Sequence, residues 1–164
     1  MPATTYKVIE TQTLPSTTGS VTFNNIPQTY TDLVMVIAGT STAHMDMAWR
    51  ANNDTGSNYF GQRWQSTTSG QGSDTSSSAN QANASTFGTN QSLCIFQWFS
   101  YSSTVLRKSC IQWNSNYSQD IITLGHCSWN NTAAITRLDF NTPFGQSGQY
   151  VAGTRFTLYG IKAE

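Results

Sequence analysis

Stretches of this chain alternate between apolar and polar side chains with a two-residue period, and no segment sustains the 3.6-residue period of a helix. The last stretch shows the pattern best. In Arg155-Phe156-Thr157-Leu158-Tyr159-Gly160-Ile161, Phe156 and Leu158 point one way while Arg155, Thr157 and Tyr159 point the other. A terminus built like this is held in a sheet. Ten spans bounded by turn residues read as strands: 5–14, 20–26, 31–39, 45–52, 57–64, 92–101, 104–113, 119–129, 133–141 and 152–161. Many short strands at this spacing predict one all-β domain, a jelly-roll-like antiparallel β-sandwich of about ten strands.

Composition supports the same reading. Thr, Ser, Asn and Gln make up 69 of the 164 residues, whereas charged residues are 10%, against roughly 25% in ordinary soluble proteins. Hydroxyls and amides compete for backbone hydrogen bonds and so favour strands and turns over helix interiors. Formal net charge is zero, and the eight Lys and Arg are scattered. Nucleic acid is therefore not an expected partner, because phosphate neutralisation needs clustered cations. The longest apolar run, Leu33 to Ala38, is too short to span a bilayer, so no membrane partner is expected either. The first residues carry no apolar signal region. With Cys94, Cys110 and Cys127 odd in number and lacking paired spacing, this predicts reduced, buried thiols and synthesis in a cytoplasm.

Residues 66–91 stand apart. They are rich in Ser, Gly, Asn and Gln, with Phe87 as the one large apolar residue. The tract reads as a polar insert: a flexible loop, or an arm ordered across a neighbouring subunit with Phe87 as its anchor. The clearest hairpin joins 94–99 to 105–111 through a turn near Ser102 and Ser103. In that register Cys94 and Cys110 face opposite sides, and Cys127 is opposite neither. Both faces of the hairpin are apolar, so Trp98, or Phe99 and Tyr101, are expected to meet another subunit or other partner surface.

Sites of chemistry are not evident. Phosphate-cradling glycine loops, nucleophile elbows and zinc-protease helices are absent from the sequence. His126 and Cys127 are adjacent in a strand and so point apart, while His44 near Asp46 is not by itself a dyad. Asp32, Asp46, Asp54, Asp120 and Asp139 show no spacing that favours a glycosidase pair. The segment Asn52 to Asn58 is oxygen-rich but lacks the ligand spacing of a calcium loop. No catalytic residue, cofactor site or metal site is expected. Trp113 and Trp129, at strand ends beside Asn-rich turns, are candidates for stacking on a glycan.

Five segments carry a resemblance to a known group: Gly19–Pro27 with Tyr30–Val36; Trp49-Arg50-Ala51-Asn52-Asn53-Asp54-Thr55-Gly56-Ser57-Asn58-Tyr59; Tyr101–Ser109; Trp129–Leu138; and Thr154-Arg155-Phe156-Thr157-Leu158-Tyr159-Gly160-Ile161. The last resembles a closing signature of the form G-S-R-x-x-L-Y-G-I, with Thr154 where Ser is common. Together they resemble small β-sandwich virion proteins of tailed, largely marine phages. The resemblance covers most of the chain outside 66–91. It implies a non-enzymatic structural role in the virion, foremost a head decoration or cement protein that bridges subunits of the major capsid protein. A receptor-binding tail-fibre tip that touches a host-surface glycan is the alternative, and a soluble carbohydrate-binding module a further one. Unlike fibre members of the group, the sequence shows no adaptor for fibre attachment. The unpartnered apolar hairpin face and the lack of charge repulsion between copies add the expectation of a homotrimer.

Overall fold

A computed structural model describes residues 5–117, 120–143 and 146–162. Twelve strands are present: β1 (Tyr6–Thr13), β2 (Ser20–Phe23), β3 (Asp32–Gly39), β4 (Met45–Ala51), β5 (Tyr59–Thr67), β6 (Gly70–Ala79), β7 (Ala82–Phe87), β8 (Ser92–Phe99), β9 (Lys108–Asn116), β10 (Ile121–Trp129), β11 (Leu138–Asn141) and β12 (Arg155–Ile161). They form two antiparallel sheets. The large one runs β1-β12-β3-β8-β9-β10-β5-β6 and the small one β2-β11-β4-β7. No α-helix occurs among the described residues. The fold is an all-β, jelly-roll-like sandwich. All ten predicted spans hold strands, although residue 119 of one span lies outside the described residues.

The alternation in the sequence becomes the two faces of each sheet. Leu33, Met35 and Ile37 of β3, Cys94, Phe96 and Trp98 of β8, and Phe156 and Leu158 of β12 all point inward. Val21, Phe23, Met47, Trp49, Leu138 and Phe140 of the small sheet meet them. Aromatic rings knit the layers by edge contacts: Trp49 and Trp98 lie 5.4 Å apart at 85°, and Tyr150 meets Phe156 at 5.1 Å and 89°. The closing strand explains its own glycine. A Cβ on Gly160 would stand 2.3 Å from the Tyr30 ring, so that ring can cover the strand only where a side chain is missing.

Residues 66–91 are not a loop. β5 and β6 form a hairpin that turns at Gly70, whose φ of 141° suits glycine, and β7 pairs with β4 in the small sheet. β6 is held by Arg63, which bridges Asp74 at 2.9 Å and Asp46 at 2.7 Å. β7 is buried by a different device. The amide of Gln112 donates to Ala84 O at 2.7 Å, and that of Asn114 donates to Thr86 O at 2.7 Å. Gly125 leaves the space this needs, since a Cβ there would meet the Gln112 amide at 2.5 Å. A polar segment is thus buried with its carbonyls satisfied. Phe87 is no anchor for a neighbour, because it is fully buried against Tyr150, with ring centroids 5.7 Å apart.

Three other expected surface residues belong to the core. Trp98 packs between Trp49 and Phe96. Tyr101 turns inward beyond the end of β8 and donates to Pro27 O. Trp129 is buried, with its Nε1 donating to Asp54 at 2.7 Å. Phe99 is partly exposed, on the outer face of the large sheet.

The cysteine register also differs from expectation. Trp98 pairs with Cys110, so Cys94 and Cys110 share the inner face, and Cys110 lies directly opposite Cys127. The cause is the β8–β9 loop, which is wider than a turn at Ser102 and Ser103. The buried Lys108 ammonium folds back under it and donates to Ser103 O (2.7 Å), Leu106 O (2.6 Å) and Thr132 O (3.1 Å). The extra loop residues shift the pairing by an odd number, which reverses the face.

All three thiols are free and buried. Desolvation pushes Cys94 and Cys127 up to about 12 from an ordinary 9.0, and raises Cys110 well above it. They therefore stay protonated at physiological pH, and the thiolate is the reactive form. Iodoacetamide at pH 8 should leave the native protein unmodified and label three thiols only after unfolding in urea. Labelling at the rate of a free peptide thiol under native conditions would contradict this burial.

Candidate functional site

Two surfaces carry chemistry. The first is the outer face of the large sheet. Pairing aligns Val36, Ile95, Trp113, Leu124 and Trp64 in one row across β3, β8, β9, β10 and β5. Trp64, Trp113 and Leu124 remain 39%, 40% and 43% exposed. The two indoles stand two strands apart, about 10 Å at the usual strand spacing. Leu93 and Ile122 extend the patch into the next row, and Tyr117 lies beyond them. On β5, β8, β9 and β10 this face carries no Lys, Arg, Asp or Glu. Its polar members are Gln62, Ser66, Gln97, Ser109, Ser115, His126 and Ser128. Apolar patches of this kind on an otherwise polar exterior mark contacts.

Trp113 therefore occupies the exposed position expected of it, but its companion is Trp64 rather than the buried Trp129. No periodicity or motif pointed to this pairing. Trp64 lies beside the polar tract, and only pairing through β10 brings it into line with Trp113.

His126 also faces outward, with Nε2 at 2.8 Å from Ser109 Oγ and its ring beside Phe60. Among the described residues no carboxylate touches the imidazole, so the pair lacks the orienting group that a hydrolytic triad uses. Asp46, near His44 in sequence, is committed to Arg63 and Gln146.

The second surface is at one end of the sandwich, where two of the sequence motifs meet. In the segment Arg50 to Tyr59, Asn52 and Asn53 take left-handed φ values of 52° and 56°, which Asn tolerates better than most residues. Asn52 clamps the segment after β10, accepting from Thr136 N (2.9 Å) and donating to Ala134 O (2.8 Å). Asp54 is the hub. Its Oδ1 accepts Gly56 N at 2.8 Å, and its Oδ2 accepts Asn58 Nδ2 at 2.9 Å and Trp129 Nε1 at 2.7 Å. The Tyr59 hydroxyl donates to Asp54 O at 3.1 Å and accepts Ala51 N at 3.1 Å. The carboxylate that suggested a calcium loop is thus occupied by N–H donors. It braces one wall of an open cavity of about 310 Å³ lined by Phe60, Ser77, Ser78, Arg107, Ser128 and Asn130, among others.

Burial pushes the Asp54 pKa up, but the donors from Trp129, Gly56 and Asn58 outweigh it and hold the group below its ordinary 3.8. A carboxyl lowered by folding stabilises the protein above its unfolded pKa, and that contribution is lost as pH falls through the folded value. Asp54→Asn should lower stability by about 2 kcal/mol at pH 7, through donors left without a charged acceptor. The urea midpoint reads this directly, and the variant should also lose stability less steeply below pH 4. An unchanged midpoint would mean that Asp54 does not brace the wall.

No family model and no curated protein matches the chain. Among solved structures it is similar to an alginate lyase mutant in complex with an alginate tetrasaccharide, with a TM-score of 0.30 and 8% identity over 94% of this chain and 80% of that one. A likeness this slight carries no argument about activity.

Proposed function

We propose that this chain is a non-enzymatic structural protein of a tailed-phage virion, which decorates the head as a homotrimer and cements neighbouring capsid subunits. The observation that carries the adhesive role is the uncharged outer face with its Ile95–Trp113–Leu124–Trp64 row. The assignment to a virion rests on the five resembling segments, which fall on strands and on the turns that brace them.

A face this wide suits a cyclic trimer. Its β8–β9 half, with Leu93, Trp113 and Phe99, and its β10–β5 half, with Ile122, Leu124 and Trp64, can each meet the other half of a neighbouring copy, as head-to-tail rings require. Uncharged faces approach without Coulomb repulsion, and burying apolar surface at about 25 cal/mol per Å² drives the association. A receptor-binding fibre tip is the second reading, favoured by the open polar cavity at the end of the sandwich.

Light scattering of the isolated protein should give three times the 18.0 kDa chain mass. Trp64→Ser combined with Trp113→Ser should leave the fold within about 1 kcal/mol of the parent, since both residues are half exposed. The double variant should run as a monomer and fall at least tenfold in virion occupancy. Mass-spectrometric copy counting on purified virions separates the two readings, because heads offer hundreds of sites and tails few. A monomeric parent protein that is also absent from virions would sink the proposal.

A further inference from the structure

The cavity at the end of the sandwich has unused binding capacity. Among the described residues its Arg107 guanidinium forms no ion pair or hydrogen bond; Arg50, Arg63 and Arg137 are engaged with neighbouring groups, and Arg155, also unpaired, lies at a different cavity. No carboxylate lines the cavity beside it, since Asp54 stands behind the wall. Among the described residues the side chains of Ser77, Ser78, Ser128 and Asn130 likewise hold no partner, and Phe60 offers a partly exposed ring.

The backbone is specialised at the same place. Tyr59 pairs with Ala79 and Gly61 with Ser76, so Phe60 faces two residues, Ser77 and Ser78, across a β-bulge. Ser78 holds a left-handed φ of 51°, a conformation disfavoured for residues other than glycine. Bulges re-aim side chains and gather beside binding sites, and a strained non-glycine residue in such a bulge points to function. The backbone beside Arg107 is held in advance. The Ser103 hydroxyl accepts Val105 N at 3.2 Å and Leu106 N at 3.0 Å, and Lys108 Nζ donates to Leu106 O. A braced backbone leaves only the Arg107 side chain to order when a ligand arrives.

We propose that this cavity binds one anionic sugar unit, a hydroxylated ring whose acid group is a carboxylate or a sulfate ester. Arg107 takes the acid group in a charge-assisted, forked contact. The serine hydroxyls and the Asn130 amide take ring hydroxyls, and Phe60 packs on an apolar face of the ring. A bare inorganic anion would leave the hydroxyls and the ring unused. A nucleic acid strand would need more than one cation. The volume of about 310 Å³ fits a small ligand. The assignment goes beyond the structural role and does not depend on it, because the outer-face row lies on other residues.

The test titrates the full chain by NMR with three probes: a galacturonic acid trisaccharide, a sulfated galactose trisaccharide and uncharged maltotriose. At least one acidic probe should bind ten times tighter than maltotriose, and which one does so identifies the acid group. Arg107→Ala should weaken that binding at least tenfold, with Arg107→Lys in between because it keeps charge without the fork. Ser128→Ala should weaken it two- to fivefold. The Trp64→Ser and Trp113→Ser pair should leave it unchanged while dispersing the trimer, so failure of one assignment is separable from failure of the other. Arg107 is exposed, and an unchanged melting curve confirms that its variants fold. Equal affinity for all probes, an acidic probe insensitive to Arg107→Ala, or no shift by either acidic probe at 10 mM would each overturn the proposal.

Discussion

The amides of Gln112 and Asn114 decide how this sandwich closes. They project inward from β9 and donate to carbonyls of β7, an edge strand of the small sheet. Without them, burying 82–87 would leave peptide oxygens without donors in a dry interior, at a cost of about 1–3 kcal/mol for each group. With them, a segment of small and polar residues serves as the fourth strand of the small sheet. The sheets are therefore joined in two ways: aromatic edges at one side of the core, and amide-to-backbone hydrogen bonds at the other. The second join is directional, so it fixes the position of β7 more tightly than apolar packing could.

The same logic recurs at the cavity end. A buried lysine surrounded by three carbonyls sets the β8–β9 loop, and an aspartate surrounded by three N–H donors sets the β4–β5 turn. Burial lowers the pKa of Lys108, yet its ammonium is where the loop finds its donors. Both charged groups face backbone or neutral side chains rather than each other, in a protein that carries few charges. The turns they hold lie in segments on which the proposed virion role rests. What those motifs encode here is rigid presentation of the sandwich end, where Arg107 and the β5–β6 bulge meet.

The outer face of the large sheet contrasts with that end. Over β5, β8, β9 and β10 it carries no Lys, Arg, Asp or Glu and is apolar along one row, whereas the cavity is polar with one unpaired cation among the described residues. Chemistry thus divides the molecule into a broad apolar side, which we propose adheres, and a polar end, which we propose recognises a ligand. An adhesive face gains from area and from the absence of repulsion. A small-ligand site gains from a few convergent, preset polar groups.

Alternation and composition by themselves determined the all-β class, ten of the strands and the buried state of the thiols, because a two-residue period forces one face inward whatever the partner. The tertiary structure decided everything that depends on which strands meet. It placed β6 and β7 within a tract that looked like linker, since β6 depends on Arg63 of β5, and β7 combines buried Ala82, Ala84 and Phe87 with amide donors from Gln112 and Asn114 on β9. It sent Phe87, Trp98, Tyr101 and Trp129 into the core, because alternation does not say which of a strand's two faces meets the other sheet, and the Lys108-braced loop set the β8–β9 register that puts Cys110 on the inner face with Trp98. It aligned Trp64 with Trp113 through β10, and it brought residues 57–60, 77–78, 107 and 128–130 to one cavity. Contacts that distant in sequence leave no periodic trace in it, because only cross-strand pairing sets which side chains become neighbours.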